Sequence, residues 1–161
     1  MECMKADEKF YQSAAMKLRE IEKLPVGSVI PDLKLTDIQG SDLNLGSVFP
    51  QHDYTFVVFF DPTCTHCQEK MPEIQKFFAD NKFSKDVKIV SFLNVETDKQ
   101  WKKFVEDYHM QNWLNVKSKG GDMKYQADLG VFGNPNFLLL DKQGKVVLKN
   151  YNTDEFKVLF K

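Results

Sequence analysis

Two cysteines separated by two residues, Cys64 and Cys67, are the side chains of this sequence that are best suited to chemistry. They follow an apolar run of seven residues, 54–60. Cysteines at this spacing, where a buried strand passes into a helix, are typical of a reversible dithiol/disulfide pair. On the first turn of a helix, residues i and i+3 share a face about 5 Å apart, which is within the range that a disulfide requires. The sequence therefore predicts a redox-active pair.

The start of a helix also favours the reactive form of the first cysteine. A helix N-terminus carries about half a positive charge, which stabilises the Cys64 thiolate, and the thiolate is the form that attacks a disulfide. His66 lies between the cysteines, and an imidazolium or ring N–H near the sulfur would favour the reduced pair. We therefore expect a redox potential several tens of millivolts above that of a proline variant at this position. His52 and His109 are expected to be surface or structural side chains.

Composition excludes several other classes of function. The net charge of the 161 residues is −1, with acids and bases interspersed, so neither nucleic acid nor an anionic membrane is an expected partner. Only Arg19 among the 22 basic residues is an arginine, and no glycine-rich phosphate loop is present. Anion-clamping and nucleotide-binding chemistries usually rely on such groups. We expect no cofactor and no metal.

The N-terminal segment leaves the location of the protein open. It lacks the apolar core of a signal peptide, and no stretch of about 20 apolar residues could span a bilayer. The chain is therefore expected either in the cytoplasm or in the periplasm or cell envelope, with its export signal removed. Three cysteines are too few for a disulfide-stapled fold, so Cys3 is expected to be a spare thiol.

Apolar periodicity places the cysteine pair within alternating strands and helices. Residues 54–60 are apolar without alternation, which is typical of a central strand covered on both faces. A helix over 64–81 and a strand over 87–95 follow, and this unit implies a parallel pair with a right-handed crossover. The other predicted elements are a hairpin around 39–41, helices over 97–109 and 121–129, a short strand over 113–116, a hairpin around 141–144 and a C-terminal helix from Thr153. Together they predict one α/β domain with a mixed sheet.

A further helix is predicted before this domain, over residues 7–23. Phe10, Ala14, Leu18 and Ile21 lie on one stripe of it. We expect this stripe to pack on the domain, with a partner or dimer surface as the alternative. The predicted boundaries are 1–25 for an N-terminal helical extension and 26–161 for the domain.

Four segments of the sequence match one family pattern. They are the hairpin start at 26–40, the run Phe59–Cys67, the dipeptide Met71-Pro72 with its proline five residues after Cys67, and the loop 133–138. With these segments the chain resembles the thioredoxin superfamily, and within it the TlpA/ResA-like thiol–disulfide oxidoreductases of bacterial cell envelopes. The resemblance covers roughly residues 26–151 and implies a thioredoxin-like fold with a mixed central sheet flanked by helices.

The resemblance implies a role for each residue of the site. Cys64 would be the attacking thiolate, and Cys67 the more buried thiol that resolves the mixed disulfide. Pro135 would follow a cis peptide bond opposite the cysteines, and the backbone of Asn134 would pair with a substrate peptide. Thr65 is assigned to the same substrate-binding group. The implied partners are protein thiols and disulfides and a redox partner protein, for a monomer or weak dimer without stable membrane insertion.

The sequence departs from the family at the proton acceptor for the second cysteine. Thioredoxins keep an aspartate where this chain has Val58, and TlpA-like proteins often carry a glutamate where it has Lys70. Glu69 points away from Cys67 around the helix. Asp61 is the substitute that we assign, and capping of the loop or helix start is its alternative role.

Two other functions compete with this interpretation. Peroxiredoxins carry Pro-x-x-x-Thr-x-x-Cys, which neither Cys64 nor Cys67 matches, and no arginine lies near the motif. A copper- or zinc-binding module could use both cysteines and one histidine, but a second Cys/His pair at ligand spacing is absent. The sequence therefore favours a thiol–disulfide oxidoreductase acting through Cys64 and Cys67.

Overall fold

The structure is a computed structural model that describes residues 2–161, with side chains described from Glu8 onward except at 17 and 19–22. The side chains of Cys3, Arg19 and Ile21 thus lie outside the described residues. The helices are α1 (Glu2–Lys23), α2 (Thr65–Asp80), α3 (Trp101–Asp107), α4 (Tyr125–Leu129) and α5 (Thr153–Leu159). The strands are β1 (Lys34–Asp37), β2 (Asp42–Asn44), β3 (Tyr54–Phe60), β4 (Val87–Leu93), β5 (Leu114–Ser118), β6 (Asn136–Asp141) and β7 (Val146–Leu148).

The seven strands form a mixed sheet in the order β2-β1-β5-β4-β3-β6-β7. The three central strands are parallel, because α2 connects β3 to β4 and α3 lies between β4 and β5. The outer pairs are antiparallel and include the hairpins β1–β2 and β6–β7. The predicted parallel unit, both hairpins and the mixed sheet are therefore confirmed.

β3 is covered on both of its faces, as its continuous apolar sequence predicts. Val57 and Phe59 belong to one buried cluster, whereas Phe56, Val58 and Phe60 belong to the other, and all five are fully buried. The second cluster includes residues from α2, α3 and α5, and the first includes residues from α4. This two-sided core holds the end of β3, and thus the start of α2, in a fixed position.

Two helices are shorter than their apolar periodicity predicts, since α3 ends early and α4 begins late. α3 stops at Asp107, and His109 then adopts a left-handed conformation with φ of 54°. A 3-10 turn at Lys119–Gly121 precedes α4 and delays its start to Tyr125. Gly130, with φ of 68°, ends α4 as predicted, since glycine reaches this conformation without a steric penalty.

The expected packing of the α1 stripe is wrong for its two large described side chains. Phe10 is 71% exposed and Leu18 is 59% exposed. α1 contacts α4. Leu24, the residue that follows α1, has its side chain buried in the core. Within residues 2–161, none of the helices combines the length and apolar character needed to cross a bilayer.

Candidate active site

The two cysteines lie at the start of α2, immediately after the loop that follows β3. Cys64 is the N-cap residue, and its carbonyl oxygen accepts the first helical hydrogen bond from the Gln68 N–H at 3.1 Å. Cys67 lies on the first turn, and both cysteines are free thiols. The first turn of α2 carries no acidic side chain, so no carboxylate there offsets the positive end of the helix dipole, which favours a thiolate.

The two thiols differ in burial. Cys64 is partly exposed, whereas Cys67 is fully buried in the aromatic cluster beneath α2. Burial raises the pKa of Cys67 to about 12, and its hydrogen bond with the Cys64 side chain acts in the same direction. The backbone of Asp61 opposes this shift by hydrogen bonding to the Cys67 sulfur. Cys67 is therefore a protonated thiol at neutral pH and lies within hydrogen-bonding reach of Cys64.

Strand pairing brings the loop before β6 next to Cys64. β3 and β6 run antiparallel, with Phe59 opposite Asn136, so the end of one strand meets the start of the other. The Cys64 thiol donates to the carbonyl oxygen of Asn134 at 3.4 Å. The peptide bond between Asn134 and Pro135 is cis, as the resemblance implied. The structure thus brings Cys64, Cys67 and the Asn134-Pro135 segment together.

Asp61 occupies the loop between β3 and α2. Its Oδ1 accepts hydrogen bonds from the N–H and the hydroxyl of Thr63, each at 2.8 Å, and its carbonyl oxygen accepts from the Cys64 N–H at 3.0 Å. These contacts match the capping role that was the alternative for this residue. The carboxylate is nevertheless close enough to Cys67 that its negative charge contributes to the raised pKa of that thiol.

His66 and Thr65 lie on the exposed surface at the start of α2. Both are exposed, and the His66 side chain is 81% exposed. His66 Nδ1 lies 3.6 Å from Glu69 Oε2. Among the described contacts, none joins His66 to the Cys64 sulfur, in contrast to the proximity that the sequence suggested.

Lys70, at the position where the resemblance implied a glutamate, makes contacts of its own. Its Nζ pairs with Glu73 Oε2 at 2.7 Å and lies 5.8 Å from the centre of the Tyr151 ring. The Tyr151 hydroxyl is buried without a hydrogen-bond partner among the described residues. Burial raises the pKa of Tyr151 to about 12, so this hydroxyl stays neutral.

Sequence reasoning missed Asn94, the residue that follows β4 and is 2% exposed. Its Nδ2 donates to Asn134 Oδ1 at 2.9 Å, and its Oδ1 accepts from the Tyr125 hydroxyl at 2.6 Å. A polar residue directly after an apolar strand, at the carboxyl end of a parallel sheet, was the available signal. Its partners are 31 and 40 residues away in sequence, so no local pattern names them.

The described residues include no group of three or more His, Cys, Asp or Glu side chains that could hold a metal ion. The two cysteines, the loop that faces them and the helix start form a surface site suited to exchange between thiols and disulfides.

Comparison with solved structures identifies the same architecture in several bacterial proteins. A domain of a "possible thiol-disulfide isomerase" from Cytophaga hutchinsonii is 26% identical, with a TM-score of 0.73 over 85% of this chain and 93% of that one. The thioredoxin domain of a thiol-disulfide oxidoreductase from Bacteroides vulgatus is 26% identical, with a TM-score of 0.72 over 84% and 95%. A thiol:disulfide interchange protein from a Bacteroides species is 25% identical, with a TM-score of 0.67 over 85% and 88%.

Sequence comparison agrees with these structural neighbours. A search of curated proteins found no significant match. The family described as Thioredoxin-like matches residues 52–146, which is more than half of the chain and includes both cysteines and the Asn134-Pro135 loop. The chain therefore belongs to the thioredoxin-like family.

Proposed function

We propose that this protein is a thiol–disulfide oxidoreductase that exchanges disulfides with protein substrates through Cys64 and Cys67. The observation that carries the proposal is the pairing of a partly exposed Cys64, 3.4 Å from the Asn134 carbonyl oxygen, with a fully buried Cys67 beside it. The names of the neighbouring structures, among them a thiol-disulfide oxidoreductase and a thiol:disulfide interchange protein, support the same activity.

The proposed reaction has two exchange steps. The Cys64 thiolate attacks one sulfur of a substrate disulfide, a Cys64–substrate bond forms, and the other substrate sulfur leaves as a thiolate. Cys67 then loses its proton and attacks the Cys64 sulfur, so that the Cys64–Cys67 disulfide forms and the second substrate sulfur leaves. The substrate gains two electrons and two protons, which the cysteine pair loses. The reverse sequence oxidises a substrate dithiol.

Residues around the cysteine pair are proposed to bind the substrate, accept a proton and tune the redox potential. Asn134, Pro135 and Thr65 are the proposed contacts for a substrate peptide, because the first lies against Cys64 and the last is exposed beside it. Asp61 is the proposed acceptor of the Cys67 proton, since its carboxylate interacts with that thiol. His66 is proposed to raise the redox potential by stabilising the Cys64 thiolate through its charge.

We further propose a TlpA/ResA-like protein of the periplasm or cell envelope, reduced or reoxidised by a separate redox protein. The direction of net transfer depends on that partner. The domain is proposed to extend over residues 26–161, preceded by the helical extension 1–25, and to act as a monomer or weak dimer. The exposed Phe10 and Leu18 of the extension support treating it as an addition to the domain.

The test is exchange with a disulfide-containing peptide, followed in the wild type and in single-cysteine variants. The wild type should reduce the peptide and end as an intramolecular disulfide. Cys64→Ser should abolish exchange, whereas Cys67→Ser should stop at a covalent complex between Cys64 and the peptide, visible by mass spectrometry.

Cys3→Ser is the matched control, because Cys3 is the third cysteine of the chain and has no proposed role in exchange. It should leave the rate and the products unchanged. Full exchange by Cys64→Ser, or no covalent complex with Cys67→Ser, contradicts the proposal.

A further inference from the structure

Asn94 joins three segments that meet behind the cysteine pair. Its backbone N–H donates to the Phe60 carbonyl oxygen at 2.8 Å, which ties it to the end of β3. Its side-chain Nδ2 donates to Asn134 Oδ1 at 2.9 Å and to the Val131 carbonyl oxygen at 3.4 Å. Its Oδ1 accepts from the Tyr125 hydroxyl and from Gln126 Nε2 on α4. One buried amide thus connects the sheet, α4 and the loop before β6.

The orientation of this amide follows from its partners. A carbonyl oxygen can only accept, so the group that faces Val131 must be the nitrogen of Asn94. Oδ1 then faces the Tyr125 hydroxyl, whose pKa burial raises, so this hydroxyl remains protonated and donates. The Asn94 amide thus donates twice from Nδ2 and accepts twice at Oδ1, and one of these four hydrogen bonds holds the Asn134 side chain.

We infer that Asn94 is a positioning residue for peptide binding, which holds Asn134 so that the backbone of the Asn134-Pro135 segment faces Cys64. The inference rests on the proposed function, because it concerns the substrate of that same site. The loop from Gly130 to Pro135 contains two glycines, Gly130 and Gly133, and ordering such a loop costs conformational entropy. With the loop held in advance, a bound peptide does not pay this cost itself.

The chain offers a matched control in a second buried asparagine, Asn115 of β5, which is 3% exposed. Its Oδ1 accepts from the Ser91 hydroxyl, and its Nδ2 donates to the carbonyl oxygens of Met110 and Trp113. Both asparagines accept from a hydroxyl at the oxygen and donate to two acceptors from the nitrogen, and Asn94 Oδ1 accepts from Gln126 in addition. The partners of Asn115, however, do not include the loop that faces Cys64.

The experiment compares Asn94→Asp with Asn115→Asp. Each substitution places an oxygen against backbone carbonyl oxygens to which the nitrogen donated, that of Val131 at position 94 and those of Met110 and Trp113 at position 115, so both should destabilise the fold. Only Asn94→Asp should raise the KM for a disulfide-containing peptide, by about tenfold with little change in kcat, the size expected for one lost buried hydrogen bond. Exchange of Cys64 with hydroxyethyl disulfide, which is too small to reach along the loop, should be unchanged in both variants.

Tyr125→Phe is a second variant that keeps the ring packed against Phe92 and removes only the hydroxyl that donates to Asn94. It should raise the peptide KM by about threefold, in line with an indirect effect of one hydrogen bond, and it decides the matter if Asn94→Asp does not fold.

Equal peptide KM values for Asn94→Asp and Asn115→Asp would overturn the inference, as would a Tyr125→Phe variant that matches the wild type. In those cases the wild type still exchanges with both disulfides, so the proposed function stands. A wild type that exchanges with neither disulfide overturns the proposed function and the inference together.

Discussion

Cys64 lies partly exposed at the N-cap of α2, whereas Cys67, one turn further along the same helix, has no exposed surface. Cys64 faces the Asn134 carbonyl oxygen across the surface of the site. Cys67 faces inward and belongs to the cluster that contains Phe60, Phe104 and Phe156. Two cysteines on one helical turn therefore have different surroundings, because Cys64 meets solvent and Cys67 meets an aromatic core.

In the proposed reaction, this difference in burial separates the two exchange steps. A protein substrate would reach the partly exposed Cys64 and not the buried Cys67, so the first mixed disulfide would form at Cys64. Cys67 would then react with the sulfur beside it, in an intramolecular second step. Burial, which is the largest cause of the raised pKa of Cys67, also prevents that thiol from reacting with other molecules.

The largest expected effect is the difference in reactivity of the two thiols toward a small alkylating reagent. In folded protein at pH 7, iodoacetamide should modify Cys64 of a Cys67→Ser variant at least about a hundredfold faster than Cys67 of a Cys64→Ser variant. Removal of Cys64 takes away two minor causes of the raised pKa of Cys67, but its burial remains. The rate at Cys67 should then rise about tenfold per pH unit, because the thiolate fraction does so below the pKa.

Mass spectrometry of samples quenched at successive times measures both rates. Alkylation in denaturant is the control, and there the two variants should react alike. Similar rates in the folded variants would show that the two environments do not govern reactivity.

The contrast between the cysteines was predictable from sequence in part. The strand over 54–60 and the helix after it depend on local apolar patterns, so the positions of Cys64 and Cys67 followed from them. The cis bond before Pro135 came from the family resemblance and is present. The direction in which His66 points was not accessible, because exposed side chains at a helix start have several open rotamers.

Other features depend on contacts that no local pattern reports. Periodicity places Phe10 and Leu18 on one face of α1, but it does not state what covers that face, and nothing in the core does. Asn94 makes its contacts through residues of α4 and of the loop before β6, which only the folded sheet brings together. α3 ends two residues before His109, whose left-handed conformation its apolar neighbours do not predict.

A smaller effect is expected at the proposed proton acceptor, Asp61, which lies between the two environments. Asp61→Asn keeps an oxygen that can accept from Thr63 and removes the charge that interacts with Cys67. If the carboxylate takes the proton, closure of the Cys64–Cys67 disulfide should slow by about tenfold at pH 7 and depend more steeply on pH. Release of a small thiol from a preformed mixed disulfide on Cys64 measures this step.

Whether closure of the Cys64–Cys67 disulfide slows or speeds up in Asp61→Asn distinguishes a proton acceptor from a capping residue. A carboxylate that acts only through its charge raises the pKa of Cys67, so its removal should speed closure. Faster or unchanged closure by Asp61→Asn would therefore assign this residue to capping alone. Thr63→Val, which removes one of the two donors to Asp61 Oδ1, tests the capping contact without removing the charge.

The smallest expected effect concerns His66, which lies on the exposed surface near Cys64. Its imidazole is 81% exposed and 3.6 Å from Glu69, so solvent screens its charge at the Cys64 sulfur. His66→Pro should therefore lower the redox potential by about 15 to 30 mV, a threefold to tenfold change in the equilibrium with glutathione and less than the sequence suggested. A potential that does not fall in the proline variant would remove His66 from the site and leave Cys64 under the influence of the helix alone.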